Sequence, residues 1–233
     1  MKSLASKAKR GLAAVSPEDL FELVWQEHDH QEAAKELRRL SVDFDWPHSP
    51  CPRLTPMGSW ADAVCAILEG GVPGLVRWAT DAEELRSADA AEELRSIACE
   101  TLEGVMTSSS ADSQRVPEAL QGLLKLASIR AKTVPLASAL SEILYAHPAQ
   151  GGQLEGEIRE LIHSRIAASE SHKDRFVASL VLDHVGDEHS IALLESLSQG
   201  LPLQGEERTE WADRREEAVR AIRRRIAAKK RRK

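Results

Sequence analysis

One spacing recurs along the second half of the chain and narrows the fold more than any other feature. An alanine, an apolar residue four positions on and another three beyond occur as Ala98, Leu102, Val105, as Ala139, Ile143, Ala146 and as Ala178, Leu182, Val185. A fourth copy begins Ala218, Ile222 and ends on Arg225, and successive copies start 41, 39 and 40 residues apart. Positions i, i+4 and i+7 share one face of an α-helix, so each copy reads as the buried stripe of one helix. Between the copies stand second sets of apolar anchors: Leu120, Leu123 and Leu124, then Ile158, Leu161 and Ile162, then Ile191, Leu194 and Leu197. Two amphipathic helices per period predict helix hairpins stacked side by side. The small alanines let neighbouring helices approach, and the leucines and isoleucines fill the layer between hairpins.

This pattern resembles the HEAT repeat family over about residues 90–230. The third unit matches best, with Phe176 to Val185 as first helix, Gly186-Asp187 as the turn and Ser190 to Leu197 as second helix. The expected fold is all-α: a HEAT-like α-solenoid of stacked helix hairpins preceded by a small helical N-terminal module. An irregular helical bundle is the alternative, because any packed amphipathic helix yields the same spacing. A hydrophobic content of 42% suffices for a sizeable core, and the low aromatic share of 4% suits alanine- and leucine-rich helices.

The N-terminal part does not share the period. Residues 1–15 read as a basic flexible N-terminus, 16–80 as the helical module, 81–228 as the repeats and 229–233 as a basic tail. Ser16-Pro17-Glu18-Asp19 has the form of a helix start, with a hydroxyl cap, proline at the first helical position and acids in the first turn. The stripe Leu20, Leu23, Val24 fades through Gln26–Glu32 and returns as Ala33, Leu37, Leu40, which is one helix with a solvated middle or two short ones. Pro47, Pro50, Pro52 and Pro56 make residues 41–59 a loop that no helix crosses. Two short helices follow, from Trp60, Val64, Ile67, Leu68 to Gly70-Gly71, and after Pro73 with Leu75, Val76, Trp78. Thr80 with Glu83 predicts a capped start to the next helix. The hexapeptide AEELRS then occurs at 82–87 and 91–96; nine residues at about 100° each would place the copies on opposite faces, so a break is expected, with a new helix over about 90–106. The segment Trp60 to Ala79 is similar, over about 20 residues, to the closing helices of bacterial effector-associated, death-like adaptor domains. That resemblance implies homotypic helical association in a defence or signalling system.

Charge is distributed unevenly. Residues 214–233 hold eleven Lys or Arg against two Glu, a net of +9; with −6 for the whole chain, residues 1–213 carry −15. The cluster comprises Arg214, Arg215, Arg220, Arg223, Arg224, Arg225, Lys229, Lys230, Arg231, Arg232 and Lys233. Such a helix could follow nucleic-acid phosphates, meet an acidic protein partner or a second copy, or cap the array by pairing with Glu206, Glu207 and Glu210. These cations, with Trp46 in the proline-rich loop, are the candidate contact residues.

Signs of chemistry are weak. His28, Asp29, His30 and Glu32, with His48, Cys51 and Cys65, include zinc-compatible types, but on a helix His28 and His30 lie about 200° apart and cannot grip one ion. His184 and His189, flanking Gly186-Asp187-Glu188, fit a polar hairpin turn better than an acid–base pair. No nucleophile elbow, Walker loop, dinucleotide fingerprint or His-Glu-x-x-His motif occurs. Trp25, Trp60, Trp78 and Trp211 are expected mainly in the core. Three scattered cysteines suggest a reducing compartment, and neither an export signal's apolar region nor a membrane-length apolar stretch is present. The expectation is a cytoplasmic, non-enzymatic protein-binding adaptor or scaffold without cofactor or membrane association; the alternative is nucleic-acid binding through the basic helix.

Overall fold

The computed structural model describes residues 21–22, 24–25, 30–42, 56–85, 88–129, 131–197 and 205–231. These residues are all-helical: α1 (His30–Val42), α2 (Pro56–Leu85), α3 (Ala88–Thr107), α4 (Val116–Ser128), α5 (Thr133–Ala146), α6 (Glu155–Ala168), α7 (His172–Val185), α8 (Glu188–Leu197) and α9 (Glu206–Arg231). Within them no helix is long and apolar enough to cross a membrane. The chain divides into two compact units, Met1–Ala131 and Lys132–Lys233.

In the first unit α2 is the central element, packing against α1, α3 and α4, while α3 also packs against α4. Val64, Leu75, Ala98, Leu102, Val105, Leu120 and Leu123 are fully buried there, including the whole first Ala–Leu–Val triad. Phe21, Glu22, Val24 and Trp25 are helical, and the Trp25 indole donates to the Val105 carbonyl at 2.8 Å. Phe21 lies against Gly104 so closely that a Cβ there would stand 2.2 Å from its ring. The unit uses glycine in α3 to admit an aromatic ring. Cys65 is buried, its thiol donates to the Ala34 carbonyl at 3.5 Å, and burial pushes its pKa up to about 12.

Three boundaries differ from expectation. Ser41, Val42 and Pro56–Ser59, expected in the loop, are helical; proline at the first helical position lacks only a donor that would have no intrahelical acceptor. The break at Gly70-Gly71 is local: Gly71 has φ 62° and ψ −161°, and helix resumes through Pro73. Thr80 caps nothing. It lies inside α2, where its hydroxyl donates to the Val76 carbonyl at 2.8 Å, so the Thr80–Glu83 pair mimicked a cap inside a continuing helix. Around the AEELRS copies helix is described to Leu85 and again from Ala88, and the expected break at residues 86–87 lies outside the described residues.

In the second unit α7 is central, packing against α5, α6 and α9, while α8 packs on α6 and α9. Ala139, Ile143, Ala178, Leu182, Val185, Ala218 and Ile222 are all fully buried. Ala146 departs from the pattern, being exposed in the last turn of α5. Ser171 caps α7 by accepting from the Asp174 amide at 3.3 Å. The α7–α8 turn closes with a reciprocal cap. Asp187 accepts from the Ser190 amide at 3.0 Å, and the Asp187 amide donates to Ser190 Oγ at 3.0 Å. Gly186 sits where a Cβ would meet the Leu182 carbonyl oxygen at 2.5 Å and Ile222 at 2.7 Å, so α9 passes directly over the turn.

Candidate functional site

The basic helix is not a free arm. Trp211, Arg214, Ala218, Val219 and Ile222 are buried on one face of α9, and the three- and four-residue steps place Arg225 on the same stripe. Arg214 is 6% exposed. Its Nε donates to Ser179 Oγ at 3.0 Å, an Nη to the Ser179 carbonyl at 3.4 Å, and it forms ion pairs with Asp183 and, at 3.4 Å, Glu217. Arg214 is thereby withdrawn from the candidate contact set into the packing of α7 against α9. Arg225, 17% exposed, donates to the Gly186 carbonyl at 2.6 Å and pairs with Glu155 at the start of α6. Lys229, one turn on, binds the same Glu155 oxygen at 2.5 Å.

The outer face of α9 carries Arg220, Arg223, Arg224, Lys230 and Arg231, all exposed. Arg220 pairs with Glu216, Arg223 reaches Glu195 at 4.0 Å and Lys230 reaches Glu188 at 3.7 Å. Arg215 is half-buried, while Arg232, Lys233 and Trp46 lie outside the described residues. The acids that meet α9 across the unit are therefore Glu155, Asp183, Glu188 and Glu195, on α6, α7 and α8, where Glu206, Glu207 and Glu210 had been expected.

Arg225 and Lys229 form one wall of a cleft of about 470 Å³. The α5–α6 turn supplies Pro148, Ala149, Gly151 and Gly152, α5 adds Leu144, α7 adds Asp183 and His184, and Ala228 completes the wall from α9. Beside it stands Tyr145, 75% exposed, its ring 6.4 Å from His184 in edge-on contact. It is the exposed large hydrophobic side chain among the described residues.

Electrostatics differ between the two acids of the cleft. Burial pushes the Glu155 carboxyl up, but hydrogen bonds and charge from Arg225 and Lys229 outweigh it and hold the pKa below the ordinary value. At Asp183 burial wins over Arg214, and the pKa lies above the ordinary aspartate value. Burial likewise lowers His184, against the pull of Asp183, which favours the neutral imidazole.

His184 and His189 have separate neighbours. His189 stands edge-on to His163 at 5.1 Å, and His163 Nε2 hydrogen-bonds Ser190 Oγ at 2.8 Å. Arg159 pairs with Asp187 at 2.9 Å and donates to the Val185 carbonyl, completing a polar clasp around the α7–α8 turn. Of the zinc-compatible residues, His30 and Glu32 fall in α1 and Cys65 in the first unit's core, while His28, Asp29, His48 and Cys51 lie outside the described residues. Trp211 is in the core at 3% exposure, whereas Trp25, Trp60 and Trp78 are half-buried.

The cleft itself escaped sequence reasoning. Glu155, Asp183 and Tyr145 are separated from Arg225 by 42 to 80 positions. One signal was available: the fourth copy of the triad replaces its apolar member by Arg225, and a cation on a buried stripe requires an acid facing it. Compared with known proteins, the chain matches no family model, no curated protein and no solved structure.

Proposed function

We propose that this chain is a non-enzymatic adaptor or scaffold that binds another protein through the helical surface of its second unit. The pairing of α7 with both α5 and α9, and of α6 with α8, supports a HEAT-like stack within that unit. The observation carrying the reading is Tyr145, left 75% exposed beside a cleft with apolar and charged walls. A rigid aromatic at the edge of a preformed concavity is the chemistry of a protein-binding anchor. The test is site-specific photo-crosslinking in cells. A benzophenone side chain at Tyr145 is expected to give a discrete protein adduct that the same group at exposed Glu157 does not. Equal labelling at both positions refutes the reading.

A second reading, nucleic-acid binding, is favoured by the five exposed cations on the outer face of α9. Deleting α9 would strip Trp211, Val219 and Ile222 from the core, so the informative variant is Arg220→Gln/Arg223→Gln/Arg224→Gln/Lys230→Gln. If that variant abolishes a steeply salt-dependent affinity for a duplex DNA or RNA 20-mer, this reading displaces the first. No salt-dependent binding by the native chain eliminates it.

A further inference from the structure

Charge in the cleft of the second unit balances as a whole but is shared unevenly between neighbouring clusters. Arg225 and Lys229 share one carboxylate, Glu155, while Asp183 is matched from behind by Arg214. Arg214 also pairs with Glu217, so that cluster is anionic by one while the Arg225–Lys229–Glu155 cluster on the cleft wall is cationic by one, and His184 is held toward its neutral form. The rest of the lining is apolar: Leu144, Pro148, Ala149 and Ala228, with Tyr145 alongside. A cavity of about 470 Å³ lies in the range of sites that hold a small ligand or a few side chains, on the order of 300–1,000 Å³.

We propose that this cleft receives a segment of the partner protein in which a carboxylate side chain stands next to an apolar one, the carboxylate displacing Glu155 from Lys229. This inference rests on the adaptor reading above and names the site and the chemistry it selects. Arg225 is the fixed half of the clamp. Its second hydrogen bond, to the Gly186 carbonyl, holds the guanidinium in place whichever carboxylate it faces. Lys229 is the movable half, 55% exposed and able to turn toward an incoming acid without leaving its helix. Glu155 is an internal stand-in that keeps the two cations paired while the cleft is empty of partner. The apolar neighbour of the incoming acid lies against Leu144 and Pro148, and Tyr145 covers it. Gly152 is an exposed member of the lining, and a Cβ there would meet no atom within 4 Å, so a side chain can be added without a clash.

The same geometry supplies variants that leave the fold intact. Gly152→Leu fills the cleft from open space, Lys229→Gln removes the movable cation and Glu155→Gln removes the competitor. The probe is an array of synthetic fluorescein-labelled octapeptides bearing Asp or Glu beside Leu, Phe or Tyr, each with an Asn or Gln twin, read by anisotropy on the full chain. The expected result is binding of acidic–apolar peptides at least tenfold tighter than their amide twins. Gly152→Leu abolishes it, Lys229→Gln weakens it about tenfold, and Glu155→Gln tightens it several-fold. A purely structural role for the Glu155 pair would not give that last result. No peptide binding, equal binding of the twins, insensitivity to Gly152→Leu, or weaker binding by Glu155→Gln overturns the proposal. Self-association of the unlabelled chain that Gly152→Leu abolishes also overturns it, assigning the cleft to a second copy. If the peptides fail while the Tyr145 crosslink to another protein stands, only the cleft assignment falls; if both fail, the adaptor reading falls with it.

Discussion

Arg214→Met tests the central claim that the basic helix is built into the second unit. Methionine keeps most of the stem and removes the guanidinium, leaving Asp183 with its facing cation gone. Breaking a buried pair from one side costs about 3–5 kcal/mol because a carboxylate stays behind without compensation. Arg214 is 6% exposed, but the Asp183 side chain is 26% exposed, so water partly screens what remains and the expected loss is at the low end, about 3 kcal/mol. Ser179 does not add to the loss, since its hydroxyl still donates to the Phe176 carbonyl at 2.6 Å. With an m-value of about 1–3 kcal/mol per molar urea, the midpoint of the second unit falls by roughly 1–3 M. The assay is urea unfolding followed by far-UV circular dichroism and by fluorescence; Trp211 is the tryptophan of that unit. The companion variant Arg214→Met/Asp183→Leu removes both charges and is expected to return within about 1 kcal/mol of the native chain. A single-variant loss below about 0.5 kcal/mol refutes the reasoning, as does a double variant no more stable than the single one.

The pH dependence separates the two acids of the cleft. Glu155 has a folded pKa below the ordinary 4.5, so its contribution is complete above that value and is lost as pH falls through the lower folded pKa; Glu155→Gln should flatten that acid limb in a stability–pH titration. Asp183 is raised above 3.8, so the folded state holds its proton more tightly and stability falls as pH rises between 3.8 and the folded pKa; Asp183→Asn should remove that opposing slope. Gly186→Ala, at φ −61° and ψ 155°, meets no backbone prohibition but must displace the Leu182 carbonyl and Ile222; a loss of about 1–3 kcal/mol in thermal or urea unfolding is expected. Gly104→Ala drives Phe21 from α3 at a similar cost of about 1–3 kcal/mol, and disturbance of the neighbouring Trp25–Val105 hydrogen bond should appear as a shift in indole emission.

What the sequence made legible was periodicity. Apart from exposed Ala146, the apolar positions named from the Ala–apolar–apolar spacing are buried, from Ala98, Leu102 and Val105 to Ala218 and Ile222, because burial of one helical face leaves a direct trace in residue type. Local signals were less secure. Thr80 and Glu83 have the residue types of a capping box, yet packing of α2 against α1, α3 and α4 carries the helix past them, and the hydroxyl falls back on Val76. The turn at Gly186-Asp187 was read correctly because its determinants, an acid and a hydroxyl three residues apart, are contiguous.

Arg225 shows where legibility ends. The sequence marks it as the one break in the fourth triad, and a basic run around it suggests an outward-facing surface. The side chain instead turns inward, because its stem occupies the triad's buried position while its head finds two oxygens, the Gly186 carbonyl and the Glu155 carboxylate. Neither partner is visible locally: one is 39 residues away and the other 70. A carboxylate shared by two cations leaves one of them under-compensated, and the exposed member, Lys229, has the greater freedom to change partner. The position at which the fourth spacing loses its apolar member is therefore also one wall of the cleft. The same substitution of charge for an apolar residue ties α9 to the α7–α8 turn and to α6 through two oxygens.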